Sequence, residues 1–140
     1  MKFNTKTRYG VRTILEIALS SSTDGIYQKD IAKNQEISVR YLDHIIAALK
    51  AAGLITTVRG KKSGYILTRK PEEITLYDIH SAFEPGINIV DCLAIHNKGC
   101  QKELTCASKF YWDELNHLIK HYLKSKTIAD LVSKHDTLNP

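Results

Sequence analysis

The sequence predicts a mainly α-helical protein with one small β-hairpin, and three observations carry that reading. Apolar residues recur at helical spacing in segment after segment. Two runs of β-branched and aromatic residues flank a glycine-bounded loop, Gly60-Lys61-Lys62-Ser63-Gly64. Charge is divided along the chain: residues 1–70 hold 13 Lys and Arg against five acids, a net +8, and residues 71–140 hold seven Lys against ten acids, a net −3. A basic half beside an acidic half points to a polyanion as partner of the first half, with nucleic acid the leading candidate.

The 140 residues suffice for one compact domain with an appendage. With 43% hydrophobic and 25% charged residues, the composition excludes a collagen, a disulfide mini-protein and a wholly disordered chain. No stretch approaches the roughly 18 apolar residues that span a bilayer, so no membrane association is expected. The apolar run Thr13 to Leu19 is interrupted by Glu16 and spaced like a helix face, which argues against an export signal. Three cysteines cannot all pair within one chain, so reduced thiols in a cytoplasmic protein are the simplest expectation.

The elements follow in order. Val11, Ile14, Leu15 and Ala18 predict an amphipathic helix over 8–20, and SSSTDG (20–25) a loop. Gln28 to Lys33 reads as a short helix and Asn34-Gln35-Glu36 as a tight turn. Ser38 is placed to cap a second helix, whose buried face is Leu42, Ile45, Ile46 and Leu49 and which Gly53 ends. LITTVRG and GYILTR form the hairpin. Pro71 breaks the chain, 74–83 is a short amphipathic helix, and 87–106 is irregular. Ser108 to Lys124 is a long helix with Tyr111, Leu115, Leu118 and Tyr122 on one stripe, and IADLV (128–132) supplies a last turn or two.

Two helices across a three-residue turn, the second longer, make a helix-turn-helix. Counting Gln28 as the first position, Ile31 and Ala32 occupy the fourth and fifth, where an apolar and a small residue let the helices cross closely. Ile37, Leu42 and Ile45 occupy the tenth, fifteenth and eighteenth, where the second helix packs on the first. The ninth position, commonly Gly because the turn requires positive φ, is Glu36. A hairpin with Arg59, Lys61 and Lys62 at its tip completes a winged helix, its cations suited to phosphates or a narrow minor groove. The second helix would enter the major groove presenting Ser38, Arg40, Asp43 and His44. Arg40 has the geometry for guanine and Asp43 for cytosine N4, with phosphate contact and plain solvent exposure the respective alternatives. Tyr41 suits packing or a phosphate contact better than base reading.

These residues also carry a resemblance. Met1-Lys2-Phe3, Thr7-Arg8-Tyr9-Gly10-Val11-Arg12, Ile31-Ala32, Ser38-Val39-Arg40-Tyr41-Leu42, Gly53-Leu54-Ile55, Val58-Arg59-Gly60 and Gly64-Tyr65-Ile66-Leu67 resemble the Rrf-type (Rrf-two) family of bacterial winged-helix transcription regulators, whose members are IscR-, NsrR-, RirA- and CymR-like. The similarity runs from the first residues to IADLV. It implies a homodimer on palindromic promoter DNA, with Ser108–Lys124 as dimerisation helix. The implied organisation is a winged-helix DNA-binding domain over 1–70, a connecting helix and cysteine-containing sensor loop over 71–107, and a dimerisation helix and tail over 108–140. The wing departs from the family, which is usually glycine-rich where Lys61-Lys62-Ser63 stands.

Cys92, Cys100 and Cys106 lack the close pairing of structural zinc ligands. Their spacing alone leaves inert thiols and iron–sulfur ligation equally open. The resemblance implies ligation, because cluster-binding members carry three cysteines between wing and dimer helix, and the spacing here is most similar to RirA-like members. A 2Fe–2S or a 4Fe–4S cluster needs a fourth ligand. The His that IscR-like members place three residues after the last Cys is Lys109, and the acidic residue that NsrR-like members use in the first helix is Arg8. His96, in the loop, is one candidate; water or a small thiol on an open iron is another.

No nucleophile–base constellation or nucleotide-binding glycine loop is present in the sequence, so an enzyme is not expected. The resulting expectation is a DNA-binding regulator that senses iron, redox state or nitric oxide through a three-cysteine cluster. The alternatives are a cluster-free winged-helix regulator controlled by cysteine oxidation or a partner protein, and an iron–sulfur electron carrier.

Overall fold

The computed structural model describes residues 2–59, 64–93 and 100–140. Helix α1 (Thr5–Leu19) starts three residues earlier than periodicity predicts, because the Asn4 side chain accepts from the Thr7 N–H and caps it. Ile14 and Ile17 of α1 enter the core. Helices α2 (Gln28–Gln35) and α3 (Val39–Ala51) follow, with Ile31, Ala32, Ile37, Leu42, Ile45, Ile46 and Leu49 all buried between them and α1. The apolar positions counted for the helix-turn-helix are thus its packing face.

Strands β1 (Ile55–Thr57) and β2 (Tyr65–Leu67) pair antiparallel in the register Ile55 to Leu67 and Thr57 to Tyr65. They are shorter than the apolar runs suggest. The hairpin also bonds to the loop after α1: Ile26 bridges Tyr65, and the Gly64 N–H donates to Asp24. A Cβ at Gly64 would stand 2.3 Å from the Asp24 carbonyl oxygen, so this approach requires glycine.

A 3₁₀ turn (Pro71–Glu73) leads into α4 (Leu76–Phe83), which begins at 76 because Thr75 serves as its cap in a reciprocal pair with Asp78. A second 3₁₀ turn (Asp91–Leu93) precedes the long α5 (Ala107–Ser125) and then α6 (Ile128–Leu138). The Thr127–Asp130 capping box starts α6, which runs three turns where apolar spacing foretold one or two, since Ser133, Lys134, His135 and Asp136 add helix without an apolar signal. The Leu76 N–H donates to Lys126 and the Ile128 N–H to Ile74, both at 2.9 Å, so α6 returns to the start of α4 and sets Leu131 and Val132 on the core.

Candidate functional site

The face expected to read DNA is built by the turn between α2 and α3. Glu36, the ninth position, takes φ 53°, ψ 45°, the left-handed conformation that the motif requires there. Its N–H turns back to the last carbonyls of α2, and Ser38 then caps α3 by accepting from the Tyr41 N–H at 3.1 Å. That geometry leaves Ser38, Arg40, Asp43 and His44 exposed on one side of α3 while Leu42 and Ile45 are fully buried on the other. Tyr41 is half-buried, its ring edge-to-face with Tyr9 at 5.6 Å. Arg59 is exposed in the loop that follows β1, whereas Lys61 and Lys62 lie outside the described residues.

Two polar clamps hold this face, and neither is legible from residue spacing. Arg12 of α1 reaches the turn, its Nε donating to Gln35 Oε1 at 2.7 Å and its guanidinium to the Gln35 carbonyl. The Gln28 amide nitrogen donates to the Val39 carbonyl at 3.2 Å and to Asp43 Oδ1. Each partner lies many residues away in the chain, so only the folded packing of α1 on α2 and of α2 on α3 brings them together.

The cysteine segment is anchored at its start. His80, 3% exposed, holds the Gly86 carbonyl through Nε2 at 3.0 Å and meets the Phe3 ring edge-on at 5.6 Å. Ile87 is buried, and the Ile89 N–H donates to Asn116 of α5 at 3.1 Å. Cys92 is half-buried, Cys100 exposed, and half-buried Cys106 is the N-terminal cap residue of α5; all three thiols are free. The Ser108 hydroxyl 3.1 Å from Cys106 Sγ, followed by the Lys109 backbone N–H, holds the Cys106 thiol below its ordinary range. Lys109 donates to Glu103 Oε1 at 2.7 Å; that bond raises the ammonium pKa and lowers the carboxyl pKa. The position three after the last cysteine is therefore a charged ammonium engaged with a carboxylate. Arg8, also exposed, donates to Thr5 Oγ1 at 3.3 Å. His96 lies outside the described residues. Among the described residues, no three His, Cys, Asp or Glu side chains are gathered closely enough to hold a metal ion. The donor chemistry nonetheless suits an iron–sulfur group, with three free thiols on one segment and the Cys106 sulfur hydrogen-bonded toward thiolate.

The family model Rrf2, described as "Iron-dependent Transcriptional regulator", matches residues 3–134. The chain belongs to the Rrf2 family. Protein rrf2 of Nitratidesulfovibrio vulgaris is 37% identical over 132 residues, covering 94% of this chain and 87% of the relative. Among solved structures, CymR (YrzC), "the Global Cysteine Regulator of B. subtilis", superposes with a TM-score of 0.79 at 30% identity, covering 96% of this chain and 98% of that one. IscR of T. potens superposes with a TM-score of 0.76 at 30% identity, over 96% and 88%. The Rrf2 fold and the helical chain with its small hairpin agree with the resemblance and fold class read from the sequence. Members are winged-helix DNA-binding transcription regulators rather than enzymes. No helix among the described residues is long and apolar enough to cross a membrane.

Proposed function

We propose that this Rrf2 member is a homodimeric transcription regulator whose promoter affinity follows the state of Cys92, Cys100 and Cys106, held as an iron–sulfur cluster. One observation carries the reading: the segment bearing these cysteines leads directly into α5, whose apolar stripe is exposed among the described residues. Leu118 and Tyr122 are 60% and 59% exposed there, and Tyr111 and Leu115 are exposed beside them. A second copy covering that stripe removes large apolar surface from water. It also fixes the separation of two α3 helices, which must read half-sites about 34–36 Å apart. Cys106 occupies the N-cap position of α5 and the Ile89–Asn116 bond ties the segment to the same helix, so rearrangement at the thiols acts on the element that sets the spacing.

Cys92, Cys100 and Cys106 would hold the cluster, with His96 or an exogenous ligand in the fourth place. When bound, an iron–sulfur group supplies a centre whose oxidation state or loss reports iron, oxidant or nitric oxide supply. On the DNA side, Arg40, Asp43 and His44 face the bases, with Ser38 and Tyr41 near the backbone, while Arg59, Lys61 and Lys62 meet phosphates or the minor groove. The surroundings of the sensor are set by the chain itself: Lys109, engaged with Glu103, places a cation beside the cysteine segment.

A cluster-free thiol switch is the second reading, favoured by the Ser108 and Lys109 hydrogen bonds that promote the Cys106 thiolate. Anaerobic purification with iron and sulfide assay, visible absorbance and promoter-DNA binding before and after cluster removal decides between them. Colour with cluster-dependent DNA affinity supports the proposal. A colourless protein whose affinity changes on thiol oxidation supports the second reading. A coloured protein without salt-dependent DNA affinity indicates an electron carrier.

A further inference from the structure

We infer that Gln28 is a positioning residue for sequence readout, holding Asp43 so that α2 and α3 together present acceptor oxygens to an amino-bearing base. The inference rests on the DNA-reading face proposed above and concerns its specificity. The Gln28 amide nitrogen lies between two acceptors, the Val39 carbonyl at 3.2 Å and Asp43 Oδ1. The opposite amide orientation would set an oxygen against both, so the nitrogen must face inward and the Oε1 outward. Both amide hydrogens are then used within the protein.

An exposed aspartate on a helix ordinarily samples several rotamers, and fixing one on a base costs side-chain entropy at binding. Here one carboxylate oxygen is already held across the helix crossing. What remains on this patch, Asp43 Oδ2 and Gln28 Oε1, only accepts hydrogen bonds. The major-groove donors on base edges are cytosine N4 and adenine N6, whereas guanine O6 and N7 and thymine O4 are acceptors that would face these oxygens unfavourably. Gln28 thereby serves two ends: it pre-orients Asp43, and it excludes bases that present only acceptors there.

The test is binding-site selection from a randomised duplex pool by the full-length protein, with Gln28→Leu, Gln28→Glu, Asp43→Ala and the Gln28→Leu/Asp43→Ala double variant in parallel. The wild type is expected to select cytosine or adenine at one position of each half-site. Asp43→Ala and Gln28→Leu should each relax that position, the latter by about tenfold in the affinity ratio of preferred to disfavoured base. The double variant should lose no more than Asp43→Ala alone, and Gln28→Glu, which sets a carboxylate against Asp43, should lose at least as much as Gln28→Leu. Salt slope and thermal midpoint should stay near wild type for Gln28→Leu, which a merely structural role would not allow. A Gln28→Leu protein that keeps wild-type preference where Asp43→Ala loses it overturns the inference and leaves the DNA-reading face standing. So does a uniform affinity loss over all sequences, or an Asp43→Ala protein of unchanged preference. A wild type that enriches no sequence overturns the underlying reading itself.

Discussion

Tyr9 on α1 and Tyr41 on α3 meet edge-to-face, their ring centroids 5.6 Å apart. The Arg12 guanidinium lies 4.9 Å from the Tyr9 ring centroid and ends on Gln35, at the turn before α3. The first helix therefore grips α3 at both its first turn and the turn that leads into it. An edge-to-face pair contributes about 0.5–1.5 kcal/mol beyond the area it buries. Tyr41→Phe should leave urea-unfolding stability near wild type, because the ring does the packing. Tyr41→Ala should lower stability by about 2–3 kcal/mol. If Tyr41→Phe alone weakens DNA binding across all sequences, the hydroxyl is a phosphate contact.

Glu36 carries a side chain at φ 53°, where an L-residue is strained by about 1–2 kcal/mol and glycine is not. The greater freedom of glycine in the unfolded chain offsets part of that relief. Glu36→Gly should raise unfolding stability by up to about 1 kcal/mol. A Glu36→Val variant, β-branched at the same backbone angles, should fall below wild type. Chemical denaturation of the three proteins checks the order.

Gly10 presents the opposite case. It is buried in α1, where alanine would gain about 1 kcal/mol of helix propensity. A Cβ there would lie 2.4 Å from Phe83 Cε2 and 3.4 Å from Ile79 Cγ2, so α1 and α4 approach through this glycine. Overpacking of this kind costs about 1–3 kcal/mol, and Gly10→Ala should be destabilising overall. Pairing it with Phe83→Leu should recover part of the loss, a coupling that a double-mutant cycle measures.

These residues mark where the sequence was legible. Ile31, Ala32, Ile37, Leu42 and Ile45 were readable because helix packing is periodic and each position wants one kind of side chain. Glu36 was readable as a mismatch, and the backbone adopts the required angles at a non-glycine residue. The Gln28–Asp43 and Arg12–Gln35 clamps were not readable, since they join residues 15 and 23 apart whose pairing depends on side-chain reach across a crossing. The last turns of α6 escaped for a related reason: they are polar, and the helix is set at its start by a capping box and by backbone bonds that link 126–128 to Ile74 and Leu76. The three cysteines were visible as a set, but spacing carries no information on whether their sulfurs converge.

The Glu103–Lys109 pair gives a pH-dependent signature in the cysteine segment. Glu103 is depressed by its Lys109 hydrogen bond, so its contribution to folding is present above the ordinary carboxylate range and is lost as pH falls through the lowered value. Lys109 is raised, so its contribution is full below the ordinary lysine range and is lost as pH rises through the higher value. Between those limits, neutral pH included, both charges are in place. In Lys109→Met, the Glu103 side-chain carboxyl carbon, followed by NMR over an acid titration, should move its midpoint upward to that of an ordinary glutamate. An unmoved midpoint would show that the ion pair does not persist in solution.

Salt dependence separates phosphate contact from base reading. Each cation that neutralises a phosphate adds about 0.9 to the slope of log affinity against log salt, while a base contact adds discrimination at one position. Arg59 is exposed in the loop after β1, and Lys61 and Lys62 follow it in the chain. Arg59→Ala, Lys61→Ala and Lys62→Ala should each reduce the slope by about one per contacted half-site and weaken binding to every duplex alike. Arg40→Ala should instead cost about 1–3 kcal/mol on the preferred site and relax one base position if it pairs with guanine. Fluorescence-anisotropy titrations of each variant over a salt series, on the selected site and on a scrambled duplex, distinguish the two behaviours. An Arg40→Ala protein that loses affinity equally on both duplexes, with a reduced salt slope, would assign Arg40 to the phosphate backbone and leave sequence reading to Asp43 and His44.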